Sequence, residues 1–165
     1  MQFRRIGQLV AATTVSAVAL SGAQAVAQEN KTTISVTNIT DIHGHLEDKI
    51  GDPAKAGDEI GVARLQTLIK QVNEGQEFNL TSSGDNVGGS AFVSAISDDK
   101  YTLEALNQMG MKVSAVGNHE FDKGTEDLTE RIQPNSTYPI LGANVLKDGQ
   151  PLLKPSHVEE VDGVK

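Results

Sequence analysis

Thr32-Thr33-Ile34-Ser35-Val36-Thr37-Asn38-Ile39-Thr40-Asp41-Ile42-His43-Gly44-His45, residues 32–45, changes character halfway along. Its first eight residues are rich in β-branched side chains, and Ile34 and Val36 lie two apart, the spacing that puts both on one face of a strand. A strand ending near Thr40 is predicted. In the extended chain just past it, Asp41 and His43 fall on the same side, so the two could grip one ion. A carboxylate with an imidazole suits Zn, Mn or Fe, and Gly44 lets the backbone turn without a Cβ clash. Taken alone, the same residues read equally well as a loop carrying two solvated histidines.

The arrangement recurs twice further along. Phe78-Asn79-Leu80-Thr81-Ser82 reads as a strand running into Ser83-Gly84-Asp85-Asn86, and Val113 to Val116 as a strand running into Gly117-Asn118-His119-Glu120-Phe121-Asp122. Between and after them, apolar residues at helical spacing predict helices from about Ile60 to Asn73, Gly88 to Ile96, Tyr101 to Met109 with Gly110 as its stop, and Thr125 to Ile132 with Pro134 beyond it. Tyr138 to Leu141 is a further strand candidate, and residues 158–165 read as a hairpin turning at Asp162-Gly163. The order βαβαβαβ predicts an α/β fold with largely parallel strands.

Three polar clusters that each follow a strand point to one site, because ligands of parallel α/β sheets collect at the carboxyl ends of the strands. Asp85 has two oxygens and could bridge two cations. Neighbouring side chains diverge, so Asn118 could offer a carbonyl oxygen to metal while His119 faces a substrate. Asp122 lies within one turn of His119 and could accept a hydrogen bond from its ring. His45 and Glu120 could orient other groups or simply be solvated, and His157 reads as a surface histidine.

Composition narrows the class. Of 165 residues, 38% are hydrophobic and 4% aromatic, so one domain, or part of one, with a lean aliphatic core is expected. Residues 1–27 read as a signal peptide: a basic start at Arg4 and Arg5, a short apolar run from Leu9 to Leu20, and a small-x-small site at Ala25-Val26-Ala27. That run is short of the about 20 residues a spanning helix needs, so export without membrane insertion is expected after cleavage. Cleavage would leave 12 basic and 22 acidic side chains, a net charge of -10 in place of -8. Such an acidic chain is a poor general binder of nucleic acid, which needs basic surface. With no cysteine, neither disulfides nor thiolate ligands are available.

Asp-x-His, Gly-Asp and Gly-Asn-His-Glu in this order resemble the opening blocks of calcineurin-like metallophosphoesterases. Thr40-Asp41-Ile42-His43-Gly44-His45-Leu46 and Gly117-Asn118-His119-Glu120-Phe121-Asp122 are similar to 5'-nucleotidases in particular. The similarity runs from about Thr33 to Lys165 and includes Gly61-Val62-Ala63-Arg64 and a strand at Leu141-Gly142-Ala143-Asn144-Val145. It implies the N-terminal half of a four-layer α/β/α sandwich over residues 28–165, two divalent metal ions, and hydrolysis of a small nucleotide. Asp41 and His43 would bind the first metal, Asp85 would bridge both, Asn118 would bind the second, and His119 and Asp122 would form a catalytic pair. The family's remaining ligands lie in the second half of its catalytic domain, beyond the residues of this chain. UDP-sugar or 2',3'-cyclic nucleotide hydrolysis, and a metal-binding fragment without activity, remain the alternatives.

Overall fold

A computed structural model describes residues 33–165 except Gly75 and Asp162; the signal-peptide reading of residues 1–27 lies outside the described residues. Four parallel strands, β1 (Ser35–Ile39), β2 (Phe78–Ser82), β3 (Met111–Ala115) and β4 (Ile140–Leu141), form one sheet in chain order. The crossovers carry α1 (Gly61–Asn73), then α2 (Phe92–Ala95) with α3 (Lys100–Gln108), and finally a helical run over residues 125–135. This is the predicted α/β alternation, and the sheet is wholly parallel.

The register positions the site. Ile39 pairs with Ser82, and Ser82 with Ser114, so the first three strands finish side by side and their following loops leave from one edge. Main-chain bonds then bind the first two loops together: Asp41 N–H to Gly84 O at 3.1 Å, His43 N–H to Asp85 O at 3.1 Å, and Gly44 N–H to Asn86 O at 3.3 Å. Beneath that edge lies an aliphatic core in which Leu80, Val87, Leu106 and Leu128 are each at most 1% exposed. Leu103 and Leu106 of α3 bury as their spacing predicts, with Met109 packed against the cluster. Full burial of each such side chain stabilises the fold by about 1.5–3 kcal/mol.

Four expectations are corrected. The helix foreseen from Gly88 begins only at Phe92, because Gly88 and Gly89 have φ of 79° and 54°, outside right-handed helical space. The fourth helical run does not stop before Pro134 but passes through it. Leu128–Ile132 is wound as π-helix, Gln133 N–H reaches Leu128 O, and Gln133–Asn135 returns to α-helix with Pro134 in its first turn, where no N–H is needed. The strand expected through Val145 ends at Leu141. The chain turns at residues 142–145 into an antiparallel pair, β5 (Leu146–Lys147) and β6 (Gln150–Pro151), around Asp148-Gly149, both at positive φ as a type I′ turn requires. The final hairpin is reduced to one Val161–Val164 bridge.

Candidate metal centre

Three of the seven non-glycine residues with positive φ among the described residues are Asp41, His43 and Asp85, at 55°, 43° and 54°. Such conformations cost of order 1–3 kcal/mol each and persist only where the surroundings impose them. The surroundings here are the zipped loops of β1 and β2. Asp41 also accepts the Thr40 hydroxyl, and its Oδ1 lies 3.8 Å from His43 Nε2.

His43 is oriented from behind. Its Nδ1 is 2.7 Å from the Gly88 carbonyl oxygen, which can only accept, so Nδ1 carries the proton and Nε2 presents its lone pair. That is how a ligating histidine is held in metal sites. Asp85 is tied to the third loop, its Oδ1 accepting the His119 N–H at 2.9 Å. His43, Asp85 and His119 bring one ligand atom each to within 4.8 Å of one another. The two imidazoles meet edge to face, with centroids 4.8 Å apart and planes at 84°. A tetrahedral ion with bonds of about 2.1 Å spaces its ligands by about 3.4 Å, so at up to 4.8 Å these three atoms stand wider than one bound ion would set them. Neutral imidazole and carboxylate donors fit a divalent ion such as Zn or Mn.

His119 opens a single 3-10 turn, His119–Phe121, that starts just past β3. Its Nδ1 donates to Asp122 Oδ2 at 3.0 Å, the bond foreseen from their spacing. That hydrogen bond, with Asp122's charge adding to it, raises the His119 pKa, and the same bond lowers that of Asp122. Asn118 is exposed at the entry to the turn, beside both His119 and Gly117. The structure therefore brings His43, Asp85, His119 and Asp122 together, with Asp41 against His43 and Asn118 on the same short turn.

Glu120 settles an open alternative. It is 2% exposed, and its carboxylate accepts three main-chain N–H groups, from Asp85 at 3.0 Å, Asn86 at 2.8 Å and Gly117 at 2.7 Å. It holds the second and third loops in contact, an architectural task that its sequence position between histidine and phenylalanine does not announce. Buried Asn86 does likewise, donating to Ser114 Oγ at 2.9 Å and accepting from Ser82 Oγ at 2.7 Å. The glycines permit this approach: a Cβ on Gly117 would lie 2.1 Å from Asp85 Oδ1, and one on Gly84 would lie 2.5 Å from Gly117 N. His45 instead binds Glu59, which Lys49 shares, and exposed His157 binds Glu159.

Comparison with known proteins identifies the family. The calcineurin-like phosphoesterase family profile matches residues 34–163. A cell wall protein of Listeria monocytogenes is 30% identical over 95% of this chain and 24% of its own length, and the 5'-nucleotidase of Bos taurus is 29% identical over 70% and 21%. Among solved structures, the NAD nucleotidase of Haemophilus influenzae superposes with a TM-score of 0.63 at 25% identity, covering 79% of this chain and 24% of that one. The Thermus thermophilus 5'-nucleotidase precursor shares the fold with a TM-score of 0.64 at 21% identity, over 79% and 26%. The chain thus spans about a quarter of the length of these relatives. A profile that matches residues 34–163, nearly all of the described residues, makes this chain a member of the calcineurin-like phosphoesterase family.

Proposed function

We propose that this chain carries the N-terminal share of an exported, metal-dependent phosphoesterase that hydrolyses nucleoside 5'-monophosphates or related nucleotides. The observation that carries the reading is the convergence of His43, Asp85 and His119 within 4.8 Å, on a chain whose relatives include nucleotidases. Asp41 and His43 are proposed to hold one ion, Asp85 to bridge, Asn118 to contribute to a second, and His119 with Asp122 to act on the substrate.

Two divalent ions, when bound, supply positive charge to phosphate oxygens and bring the pKa of water down towards about 7. The chain's own part is orientation and proton handling. Gly88 O keeps the His43 proton on Nδ1, so Nε2 stays available. Asp122 keeps a proton on His119 Nδ1 and stabilises the imidazolium, so His119 Nε2 can give a proton to the departing alkoxide or hold charge on the phosphoryl oxygens. Exposure of Asp41 and Asp122 keeps this edge open to a solute. The acidic composition supports a small nucleotide over a nucleic acid. The signal-peptide pattern of residues 1–27 and the cell wall protein among the relatives support export.

The test is phosphate release from AMP, UDP-glucose and 2',3'-cyclic AMP with added Mn²⁺ or Zn²⁺, alongside calorimetric Zn²⁺ titration, for this chain and for His119→Ala. Release from AMP that His119→Ala abolishes while Zn²⁺ binding persists supports the nucleotidase reading. Zn²⁺ binding without release from any substrate favours the non-catalytic alternative.

A further inference from the structure

We propose that Asp99 is a positioning residue whose buried carboxylate, acting through the Gly88–Gly89 segment, sets both His43 and His119 to present their Nε2 atoms. The inference rests on the reading of His43 as a metal-binding side chain for its consequence, though not for its geometry.

The peptide between Gly88 and Gly89 serves both rings. Its carbonyl accepts the His43 Nδ1–H at 2.7 Å. Its N–H, from Gly89, donates at 2.8 Å to Asp122 Oδ2, the oxygen that accepts the His119 Nδ1–H at 3.0 Å. A peptide unit is planar, so its two ends turn together, and a tilt that misaligns one imidazole misaligns the other. The Ser90 hydroxyl also donates to that carbonyl, at 3.3 Å, but neither glycine has a side chain to hold the plane. Both residues are glycines, and a Cβ would lie 2.2 Å from the His119 carbonyl oxygen at position 88 and 3.1 Å from the His119 ring at position 89.

The anchor comes from outside the segment. Asp99, 5% exposed in the turn before α3, accepts the Gly88 N–H on Oδ2 at 3.2 Å. Its Oδ1 accepts the Ser94 hydroxyl at 2.7 Å, and Ser94 Oγ lies 2.6 Å from Thr102 Oγ1. Ser94 and Thr102 are both 0% exposed. A carboxylate is costly to bury without a task, and here its polar contacts run to the helix pair on one side and to the glycine segment on the other. Asp99 thereby ties the N–H of Gly88, on the peptide just before the one that serves both rings, to the helix pair, and so fixes where that next peptide starts.

The variants follow from the backbone. Asp99 has φ of 60°, so Asp99→Gly removes the carboxylate without adding strain. Asp99→Asn suits the same conformation, keeps an acceptor for Gly88, and can turn its amide towards Ser94, whose hydroxyl then donates to Thr102. Asp99→Ser is the second disruptive variant should Asp99→Gly not fold, and Ser94→Ala removes the Oδ1 bond and the Thr102 contact while leaving the Gly88 N–H to Oδ2 bond in place. Nitrogen-15 NMR of the metal-free chain reads the His43 tautomer, and calorimetry reads Zn²⁺ affinity. Wild type, Asp99→Asn and Ser94→Ala are expected to show a single Nδ1–H tautomer. Asp99→Gly and Asp99→Ser should show mixed tautomers and bind Zn²⁺ about 10- to 100-fold more weakly, the usual loss when an outer partner of a ligand is removed. A single Nδ1–H tautomer in folded Asp99→Gly or Asp99→Ser, or an equal loss in Ser94→Ala, overturns the assignment. A wild-type chain that binds no Zn²⁺ would overturn the metal-binding reading, while the tautomer comparison still decides the role of Asp99.

Discussion

The Glu120 carboxylate lies 3.0 Å from the Asp85 amide nitrogen, joining two loops that are 35 residues apart in the chain. One oxygen serves Asp85 and Gly117, and the other serves Asn86. Glu120→Gln must turn an NH₂ towards at least one of these amides and leave a buried donor unmet. A loss of about 1–3 kcal/mol in stability is expected in urea unfolding. A change below about 0.5 kcal/mol, the range of surface substitutions, would mean that the three amides find other partners.

The His119–Asp122 bond makes the site sensitive to pH in a defined window. His119 has its pKa raised above 6.5, and Asp122 has its pKa lowered below 3.8, each chiefly by their shared hydrogen bond. The pair therefore adds stability between those two ordinary values, loses it as pH rises through the raised histidine pKa, and loses it as pH falls through the lowered carboxylate pKa. In Asp122→Asn the NMR titration midpoint of His119 should move down, and the stability gap to wild type should close at alkaline pH. An unmoved midpoint would show that Asp122 does not govern the imidazole.

Gly117→Ala adds a methyl group where Asp85 Oδ1 would lie 2.1 Å away and Asp85 N 2.5 Å away. The Asp85 carboxylate must shift off the cluster, so Zn²⁺ affinity should fall at least about tenfold and stability by about 1–3 kcal/mol. Calorimetric titration and unfolding of the same variant measure both, and retention of full affinity would place Asp85 outside the metal set.

Zn²⁺ itself should act as a folding ligand. At a free concentration a hundredfold above Kd, binding to the native chain alone adds about 2.7 kcal/mol, raising Tm, and a chelator should reverse the rise. His43→Ala is expected to abolish the effect, leaving a Tm that responds neither to Zn²⁺ nor to the chelator.

Leu106 tests the core rather than the site. It is 0% exposed among Leu80, Leu103 and Leu128, and Leu106→Ala should cost about 3 kcal/mol, read from the unfolding midpoint. A cost under about 1 kcal/mol would require the core to collapse onto the cavity.

Much of this was legible in the chain itself. Strand β2 is read to the residue because Phe78 and Leu80 alternate with polar residues and the run leads into a Gly-Asp turn signal. Helices α1 and α3 follow from a 3.6-residue apolar period, and the pairing of His119 with Asp122 follows from their spacing alone. These are local properties, set by neighbours within a turn or two. Gly88-Gly89 misled for the same reason: a local reading sees the start of a helix, whereas contact with two histidines from other loops holds both glycines at positive φ. The π-helical turn before Pro134 lies in the third crossover and the short hairpin around Asp148-Gly149 follows β4, and a 3.6-residue apolar period announces neither.

Residue order by itself determined the α/β alternation, the acidic surface and the identity of the candidate ligands, because periodicity, charge and donor chemistry belong to side chains and their spacing. Only the tertiary structure decided that Glu120 is buried, that Asp99 reaches the glycine segment, and that one peptide orients two imidazoles. Those facts rest on hydrogen bonds between segments 11 to 45 residues apart in sequence, and parallel strand pairing is what brings such segments to one edge.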